Sequence, residues 1–298
     1  MIAGAVEEIG QGAGREGGEW TIRGCTLALD RPRIMGILNV TPDSFSDGGA
    51  FEAPRAALER AQEMVEEGAD LIDVGGESTR PGAAPVEPAV QIRRVVPVVR
   101  LLTRHLSVPL SVDTRSAEVA RAAIEAGAAI VNDVAALAEP AMADVVREGG
   151  VGVVLMHMRG TPRTMQDETL YADLLGEIRA ELGAALNRAR AAGVPDAAIV
   201  LDPGIGFAKT SAHSLELIAR IGEILPLGRP LLVGPSRKRF LGEILGGAPP
   251  RQRAVGTAAA CVAALFGGAR LFRVHDVAPV RHALDVAEAI RRAGLHAL

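Results

Sequence analysis

Residues 110–134 read LSVDTRSAEVARAAIEAGAAIVNDV, and this stretch decides the fold. It begins and ends with short, mainly apolar runs at 110–113 and 130–134. Between them, apolar residues recur at helical spacing from Ser116 to Ala126, and Gly127 follows where a helix is commonly capped. A strand, an amphipathic helix and another strand in this order predict a βαβ unit whose strands are parallel.

The same unit recurs about eight times along the chain, each time as an apolar run, a polar loop and an amphipathic helix. The predicted strands lie at 34–40, 71–75, 110–113, 130–134, 151–157, 199–202, 231–234 and 270–275. The predicted helices lie at about 54–67, 88–105, 116–126, 140–148, 170–192, 211–224, 237–245 (with a second helix at 251–266) and 278–293.

Eight such units with no long linker predict an α/β fold, a single closed (β/α)8 TIM barrel, rather than two domains. An open, doubly wound parallel sheet is the structural alternative. Residues 20–30 alternate and turn at Gly24, which predicts a short N-terminal hairpin ahead of the barrel. Residues 1–18 are rich in glycine and glutamate and are expected to form a disordered tail, so the predicted barrel domain spans 19–298.

Composition excludes several classes of function. The 298 residues carry a net charge of −4, which argues against a general role in binding nucleic acid. No apolar run reaches the roughly 18 residues that cross a membrane, and no secretory signal opens the chain. The two cysteines, Cys25 and Cys261, are far apart and form no C-x-x-C pair. These features predict a cytoplasmic protein without nucleic-acid or membrane partners.

Cationic residues cluster in the loops that follow predicted strands, where a barrel of this kind builds its active site. Arg80, Lys238, Arg273 and His275 have the wrong charge for a helix N-terminus. Four cations at one mouth would repel each other unless an anion joins them, so we expect phosphate or pyrophosphate to bind there. Surface ion pairs are the alternative explanation.

Lysine is scarce, since only Lys209 and Lys238 stand among the 32 basic residues. Both lie in loops rich in glycine, proline or serine. Chance is one explanation. The other is that a compact ammonium is needed where a planar guanidinium would not fit.

A second set of polar residues ends the third, fourth and sixth predicted strands: Asp113, Asn132 and Asp202. Two carboxylates and an amide complement a flat heterocycle with adjacent N–H donors, such as a 2-amino-4-oxopyrimidine edge. Helix capping is the alternative for Asp113, and a metal site is another. A catalytic zinc is disfavoured because few histidines end strands, whereas Mg²⁺ accepts amide and phosphate oxygens.

The polar loop at 41–49 contains one aromatic residue, Phe45, and ends in two glycines. It is expected either to close over a ligand or to form a rigid turn.

Eight motifs follow one another along the chain. The two long ones are IMGILNVTPDSFSDGG at 34–49 and IDVGGESTRPG at 72–82. Shorter ones are SVDT at 111–114, VNDV at 131–134, LMHM at 155–158, DPGIGF at 202–207, SRK at 236–238 and RVHD at 273–276. The set resembles the motifs of dihydropteroate synthases, in order from about residue 20 to the C-terminus, and the two long motifs are very specific.

The resemblance implies a homodimeric (β/α)8 enzyme of folate biosynthesis that is a target of sulfonamides. Such an enzyme joins 4-aminobenzoate to 6-hydroxymethyl-7,8-dihydropterin pyrophosphate, with Mg²⁺, and releases pyrophosphate. It implies these roles: pterin binding by Asp113, Asn132, Met156, Asp202, Phe207 and Lys238; pyrophosphate binding by Thr79, Arg80, Arg273 and His275; the 4-aminobenzoate side by Phe45, Pro81, Ser236 and Arg239; Mg²⁺ binding by Asn39; and catalysis by Lys238, Arg80, Asp113 and Asp202.

Three positions depart from the family pattern. Ala208 stands where the family commonly has glycine, Arg239 stands where it has serine, and Pro235 before the SRK triplet is unusual. Arg239 either pairs with the 4-aminobenzoate carboxylate or points into solvent. The rival functions are a folate-dependent methyltransferase barrel and a catalytically silent pterin-binding regulator.

Overall fold

The computed structural model describes residues 18–40, 52–78 and 82–295. In these residues a two-stranded hairpin precedes a sheet of eight parallel strands. The strands are β1 (Glu19–Ile22), β2 (Cys25–Ala28), β3 (Arg33–Asn39), β4 (Leu71–Gly75), β5 (Leu110–Asp113), β6 (Ile130–Asp133), β7 (Gly152–Met156), β8 (Ile199–Asp202), β9 (Leu232–Val233) and β10 (Leu271–Val274).

The sheet curls into a barrel, which confirms the predicted closed fold over the open alternative. Its strand order is β8-β7-β6-β5-β4-β3-β10-β9. A parallel bridge between Leu201 and Leu231 joins the two ends, and the Leu201 N–H donates to the Pro230 carbonyl oxygen at 3.0 Å. The barrel is therefore continuous around its circumference.

Helices alternate with the strands and cover the outside of the barrel. They are α1 (Glu52–Glu66), α2 (Pro88–His105), α3 (Ala117–Ala126), α4 (Pro140–Gly149), α5 (Leu174–Ala191), α6 (Ser211–Ala219), α7 (Arg239–Ile244), α8 (Ala254–Phe266) and α9 (Val277–Leu295). Their apolar faces and the outward strand residues form one continuous core. No helix in the described ranges is long and apolar enough to cross a membrane.

The helix boundaries differ from the predictions by four or more residues at two places. Helix α5 begins at Leu174 rather than 170, because the Asp173 side chain caps it by accepting the Gly176 N–H at 3.1 Å. Helix α6 ends at Ala219, and the chain continues as a 3-10 helix, Ile221–Leu227, that contains Pro226. Pro226 cannot donate a backbone hydrogen bond to the carbonyl of residue 222, which disfavours an α-helix in this segment.

The predicted hairpin closes the N-terminal end of the barrel. Trp20 on β1 is fully buried, and its indole N–H donates to the Ala198 carbonyl oxygen at 2.8 Å. It packs with the lower layer of interior side chains, which comprises Met35, Leu71, Ile130, Val154, Val200, Leu232 and Leu271. The predicted tail, residues 1–18, lies outside the described residues except for Gly18.

The interior changes from apolar to polar along the strands. Side chains two residues apart on a strand point to the same face, so the residues after the lower layer also point inward. Four of these residues are polar: Asp73 after Leu71, Asn132 after Ile130, Asp202 after Val200 and Arg273 after Leu271. The others in this upper layer are Ile37 after Met35, Met156 after Val154 and Gly234 after Leu232. The alternation therefore places a chemically active layer at the carboxyl ends of the strands.

Candidate active site

A buried ion-pair network forms the centre of the upper layer. Arg273 donates from Nε to Asp73 Oδ2 at 2.6 Å and from Nη2 to Asp113 Oδ2 at 2.7 Å. Asn132 donates from Nδ2 to the same Asp73 oxygen at 3.1 Å. Four strands, β4, β5, β6 and β10, thus contribute one side chain each to a rigid polar floor.

The floor retains unused acceptors. Asp73 Oδ1, Asp113 Oδ1 and Ser111 Oγ are buried and find no hydrogen-bond partner among the described residues. The pKa of Asp113 is raised to about 7, chiefly by burial. The charge of Arg273 opposes this rise, and the neighbouring carboxylates Asp73 and Glu77 add to it. A buried acceptor without a donor is costly, so this floor is built to receive N–H groups from a ligand.

The end of β8 and the loop after it supply a third carboxylate and an aromatic ring. Asp202 Oδ1 accepts the Gly204 N–H at 2.8 Å, and burial raises the Asp202 pKa to about 6. Phe207 lies further along the loop, and the Lys238 ammonium stands 3.7 Å from the centre of its ring. Burial lowers the pKa of Lys238 to about 7, against the attraction of Asp202. A cation over a ring is favourable when both are desolvated.

Apolar side chains line the site beside the polar floor. Met156, Phe207 and Met165 are buried in one small cluster with Val134 and Ala208. Sulfur and aromatic groups form flat, polarisable surfaces. Together with the floor, they suit a planar ring whose edge carries donors.

The predicted cation cluster is organised differently from the expectation. Arg273 pairs with two carboxylates through Nε and Nη2, and Lys238 lies against Phe207, so both cations already have partners within the protein. The prediction did not include the pairing of Arg273 with Asp73 and Asp113, because these residues lie 200 and 160 positions away in the chain. The His275 backbone N–H donates to Ser236 Oγ at 3.1 Å, and the ring Nδ1 lies 3.0 Å from the same oxygen.

The remaining residues of the predicted substrate sites fall into two groups, those outside the described residues and Arg239. Thr79, Arg80, Pro81 and Phe45, and with Phe45 the whole 41–49 loop, lie outside the described residues. Arg239 is described, and its side chain is 69% exposed and pairs with Glu243 one helical turn away at 3.2 Å. This position favours the solvent alternative for Arg239, because a guanidinium at a helix start readily pairs along the surface.

Asn39, the predicted Mg²⁺ ligand, ends β3 at the mouth of the barrel and is half-buried. Its Oδ1 lies beside Gly75, 3.5 Å from where a Cβ would be placed. Within the described ranges no group of three or more His, Cys, Asp or Glu side chains could hold a metal ion. This single amide oxygen fits Mg²⁺ that keeps most of its waters or takes phosphate oxygens, and it does not fit a tightly held zinc.

Sequence reasoning missed two residues of the site. Asp73 was read only as part of a motif, yet it is the one charged residue in the buried strand β4, and that was the available signal. Lys209 was noted for its rarity but received no role; it lies in the loop after β8, and it is 2% exposed. The suggestion that Asp113 caps a helix was wrong, since its carboxylate pairs with Arg273.

Comparison with known proteins agrees with this geometry. The family described as pterin binding enzymes matches residues 35–275. A dihydropteroate synthase of Synechocystis sp. is 48% identical over 263 residues, which are 88% of this chain and 91% of that protein. This chain belongs to the dihydropteroate synthase family. The family predicted from the motifs is thereby confirmed.

Other family members are similarly close. The dihydropteroate synthase of Escherichia coli is 43% identical over 267 residues, covering 90% of this chain and 94% of that protein. A Yersinia pestis dihydropteroate synthase solved with a sulfonamide drug superposes with a TM-score of 0.87 at 46% identity, covering 92% of this chain and 99% of that one. The Xanthomonas albilineans enzyme with 4-aminobenzoic acid superposes with a TM-score of 0.86 at 46% identity, over 92% and 98% of the two chains.

Proposed function

We propose that this chain is a dihydropteroate synthase, a transferase that joins 6-hydroxymethyl-7,8-dihydropterin pyrophosphate to 4-aminobenzoate in folate biosynthesis. The observation that carries the proposal is the polar floor with unused acceptors beside an apolar wall and a buried ammonium. The pterin ring lies on this floor. Its N–H donors meet Asp113 and Asp202, and its face packs against Phe207 and Met156.

The reaction exchanges one bond for another at the pterin methylene carbon. The C–O bond to pyrophosphate breaks, the 4-aminobenzoate nitrogen forms the new C–N bond, and the nitrogen loses a proton. Positive charge grows on the pterin as the bond breaks, and the buried carboxylates of Asp113 and Asp202 stabilise it. The leaving oxygens carry the negative charge, and we assign their binding to His275 and Arg273 with Thr79 and Arg80.

The 4-aminobenzoate side is proposed to include Phe45, Pro81 and Ser236. Ser236 is buried beside His275, so it connects the proposed pyrophosphate site to the proposed 4-aminobenzoate site. The neutral aniline needs no strong base, since its proton is acidic once the C–N bond forms. By the same family relationship we propose that sulfonamides compete for this side.

Mg²⁺ is proposed as the metal of the reaction, held by Asn39. When bound it would supply a positive charge that favours departure of pyrophosphate. Asn39 is the sole member of the predicted metal site, which agrees with an ion that arrives with its phosphate ligand. Calorimetry of pyrophosphate binding with and without Mg²⁺ tests this assignment, and equal affinity in both conditions would contradict it.

The assembly is proposed to be a homodimer that pairs through α8 and α9. Exposed apolar residues form a surface on these helices, which we call the α8/α9 face: Val255, Phe266, Val286 and Ile290. Apolar surface of this kind on adjacent helices is typical of an interface between subunits.

The cytoplasm is the proposed compartment, because Cys25 is an exposed free thiol.

The decisive experiment measures pyrophosphate release from purified protein with both substrates. Release that requires 4-aminobenzoate supports the proposed function. Pterin binding without release would indicate the catalytically silent relative instead. Release without 4-aminobenzoate would indicate hydrolysis and would also overturn the proposal.

A further inference from the structure

Lys209 is a buried cation that the proposed reaction does not use directly. Its Nζ donates to the Phe207 carbonyl oxygen at 2.9 Å and to His157 Nδ1 at 2.9 Å. An amine supplies enough N–H bonds for both contacts in either protonation state. Both acceptors belong to segments that border the pterin site, since Met156 precedes His157 and Phe207 forms the wall.

The contacts of His157 fix its tautomer. The Glu181 carboxylate beside Nε2 can only accept, so the ring proton is on Nε2 and Nδ1 of the neutral ring accepts from Lys209. Nε2 then donates to Glu181 Oε2 at 3.0 Å, and Glu181 also pairs with Arg159. Burial, opposed by Glu181, lowers the pKa of His157 to about 4, which agrees with a neutral ring. A continuous chain of polar contacts thus runs from α5 to the loop after β8.

The loop after β8 needs such support. Ala208 adopts a φ of +49°, a left-handed conformation that disfavours residues with a Cβ. The carbonyls on each side of this strain are both held: Phe207 O by Lys209, and Ala208 O by the Tyr171 hydroxyl at 3.0 Å. The turn before it is also tight, since a Cβ at Gly204 would collide with the His157 carbonyl oxygen.

We propose that Lys209 is a positioning residue that holds the Asp202–Phe207 side of the pterin site in its binding conformation against the backbone strain at Ala208. It touches neither substrate. It acts through the Phe207 carbonyl and, through His157, on the segment beneath Gly204. This inference rests on the proposed function only for the identity of the pterin substrate.

The test compares Lys209→Met with the parent by two readouts. The first is calorimetry with 6-hydroxymethylpterin alone, and the second is steady-state pyrophosphate release. We expect pterin affinity to fall by about tenfold or more, while the KM for 4-aminobenzoate changes by less than about twofold. A variant that only melts earlier, or that loses both substrates equally, would overturn the proposal.

A matched control and a suppressor sharpen the test. Glu177→Gln alters the same charged cluster through Arg159 but does not touch His157 or Lys209, so pterin affinity should stay at the parent value. Ala208→Gly removes the strain and should recover part of the pterin affinity in the Lys209→Met background while changing little in the parent. Identical effects of Ala208→Gly in both backgrounds would contradict the strain mechanism.

Failure of this inference can be told apart from failure of the proposed function. If the parent binds 6-hydroxymethylpterin but releases no pyrophosphate, the proposed reaction is wrong and calorimetry still decides the role of Lys209. If the parent turns over and Lys209→Met binds pterin as the parent does, the reaction stands and the positioning role is wrong.

Discussion

At the scale of single residues, the site depends on ionisable groups that are taken out of water. Asp113, Asp202 and Lys238 each have a pKa shifted toward neutrality by burial. Isolated buried charges are unfavourable, and the pairing of Arg273 with Asp73 and Asp113 offsets that cost. Burial of these groups therefore lowers the stability of the fold, and it also enables the site to bind a polar heterocycle.

Lys238 is expected to tolerate no substitution, including arginine. Its ammonium fits between Phe207 and the loop at Gly206, where a Cβ would lie 3.1 Å from the Lys238 side chain. Lys238→Arg should lower kcat/KM by about 100-fold, equivalent to about 2.7 kcal/mol, because a planar guanidinium is too large for this position. Steady-state kinetics measure this, and normal turnover would mean that the choice of lysine is accidental.

Asp202 is expected to destabilise the fold above pH 6. Its raised pKa means that the folded state binds a proton more tightly than the unfolded state, so this contribution is favourable at low pH and is lost as pH rises through about 4 to 6. Asp202→Asn should be more stable than the parent by about 2 to 3 kcal/mol at pH 8, with little difference at pH 4, while binding pterin less tightly.

Urea denaturation of Asp202→Asn at both pH values measures the difference, with the exposed Asp144→Asn as the control variant. A stability gain that does not depend on pH would show that desolvation of the carboxylate is not its cause.

Arg239 is expected to be functionally silent despite its departure from the family pattern. Its guanidinium is exposed and paired with Glu243 along α7, and surface pairs of this kind contribute about 0 to 1 kcal/mol. Arg239→Ser should leave the KM for 4-aminobenzoate and the sulfonamide inhibition constant at the parent values. A selective rise in the KM for 4-aminobenzoate would indicate that Arg239 contacts the carboxylate after all.

At the scale of elements, the hairpin β1–β2 and the loops after the strands have opposite tasks. The hairpin fills the N-terminal end of the barrel with apolar side chains, and the loops at the other end carry the polar site. This division is the usual one for barrels, in which the N-terminal face serves stability.

Trp20 tests that division. Trp20→Ala should lower the free energy of unfolding by about 3 to 5 kcal/mol, because a fully buried side chain is removed, yet kcat should stay at the parent value. Trp20→Phe removes only part of the volume and the hydrogen bond to Ala198, so it should cost less. A loss of kcat at full folding would show that the hairpin affects the distant site.

At the scale of the whole molecule, the α8/α9 face is the proposed dimer interface. Val286→Glu combined with Ile290→Glu should convert the proposed dimer into a monomer, because charges replace apolar contacts at the interface. Analytical ultracentrifugation measures the mass. The matched control is Leu170→Glu, an exposed apolar residue ahead of α5 and away from this face. A parent that is already monomeric, or a double variant that stays dimeric, would contradict the proposed interface.

The sequence by itself determined the barrel, its hairpin, the family and the end at which the site lies. Periodicity is a local property, so apolar runs and amphipathic helices identify elements without knowledge of their neighbours. The strand-end residues Asp113, Asn132 and Asp202 were therefore found from position alone. The start of α5 and the end of α6 were missed, because a capping aspartate and a proline in the segment after α6 override periodicity locally.

Only the tertiary structure decided which charges neutralise each other. Arg273 pairs with Asp73 and Asp113 across separations of 200 and 160 residues, and no local pattern encodes such partners. It also revealed that Lys209 contacts the Phe207 carbonyl and His157, while Arg239 is exposed and pairs with Glu243. The physical reason is that an ion pair depends on distance and burial, which barrel closure sets by bringing β10 beside β3 and its neighbour β4 within reach.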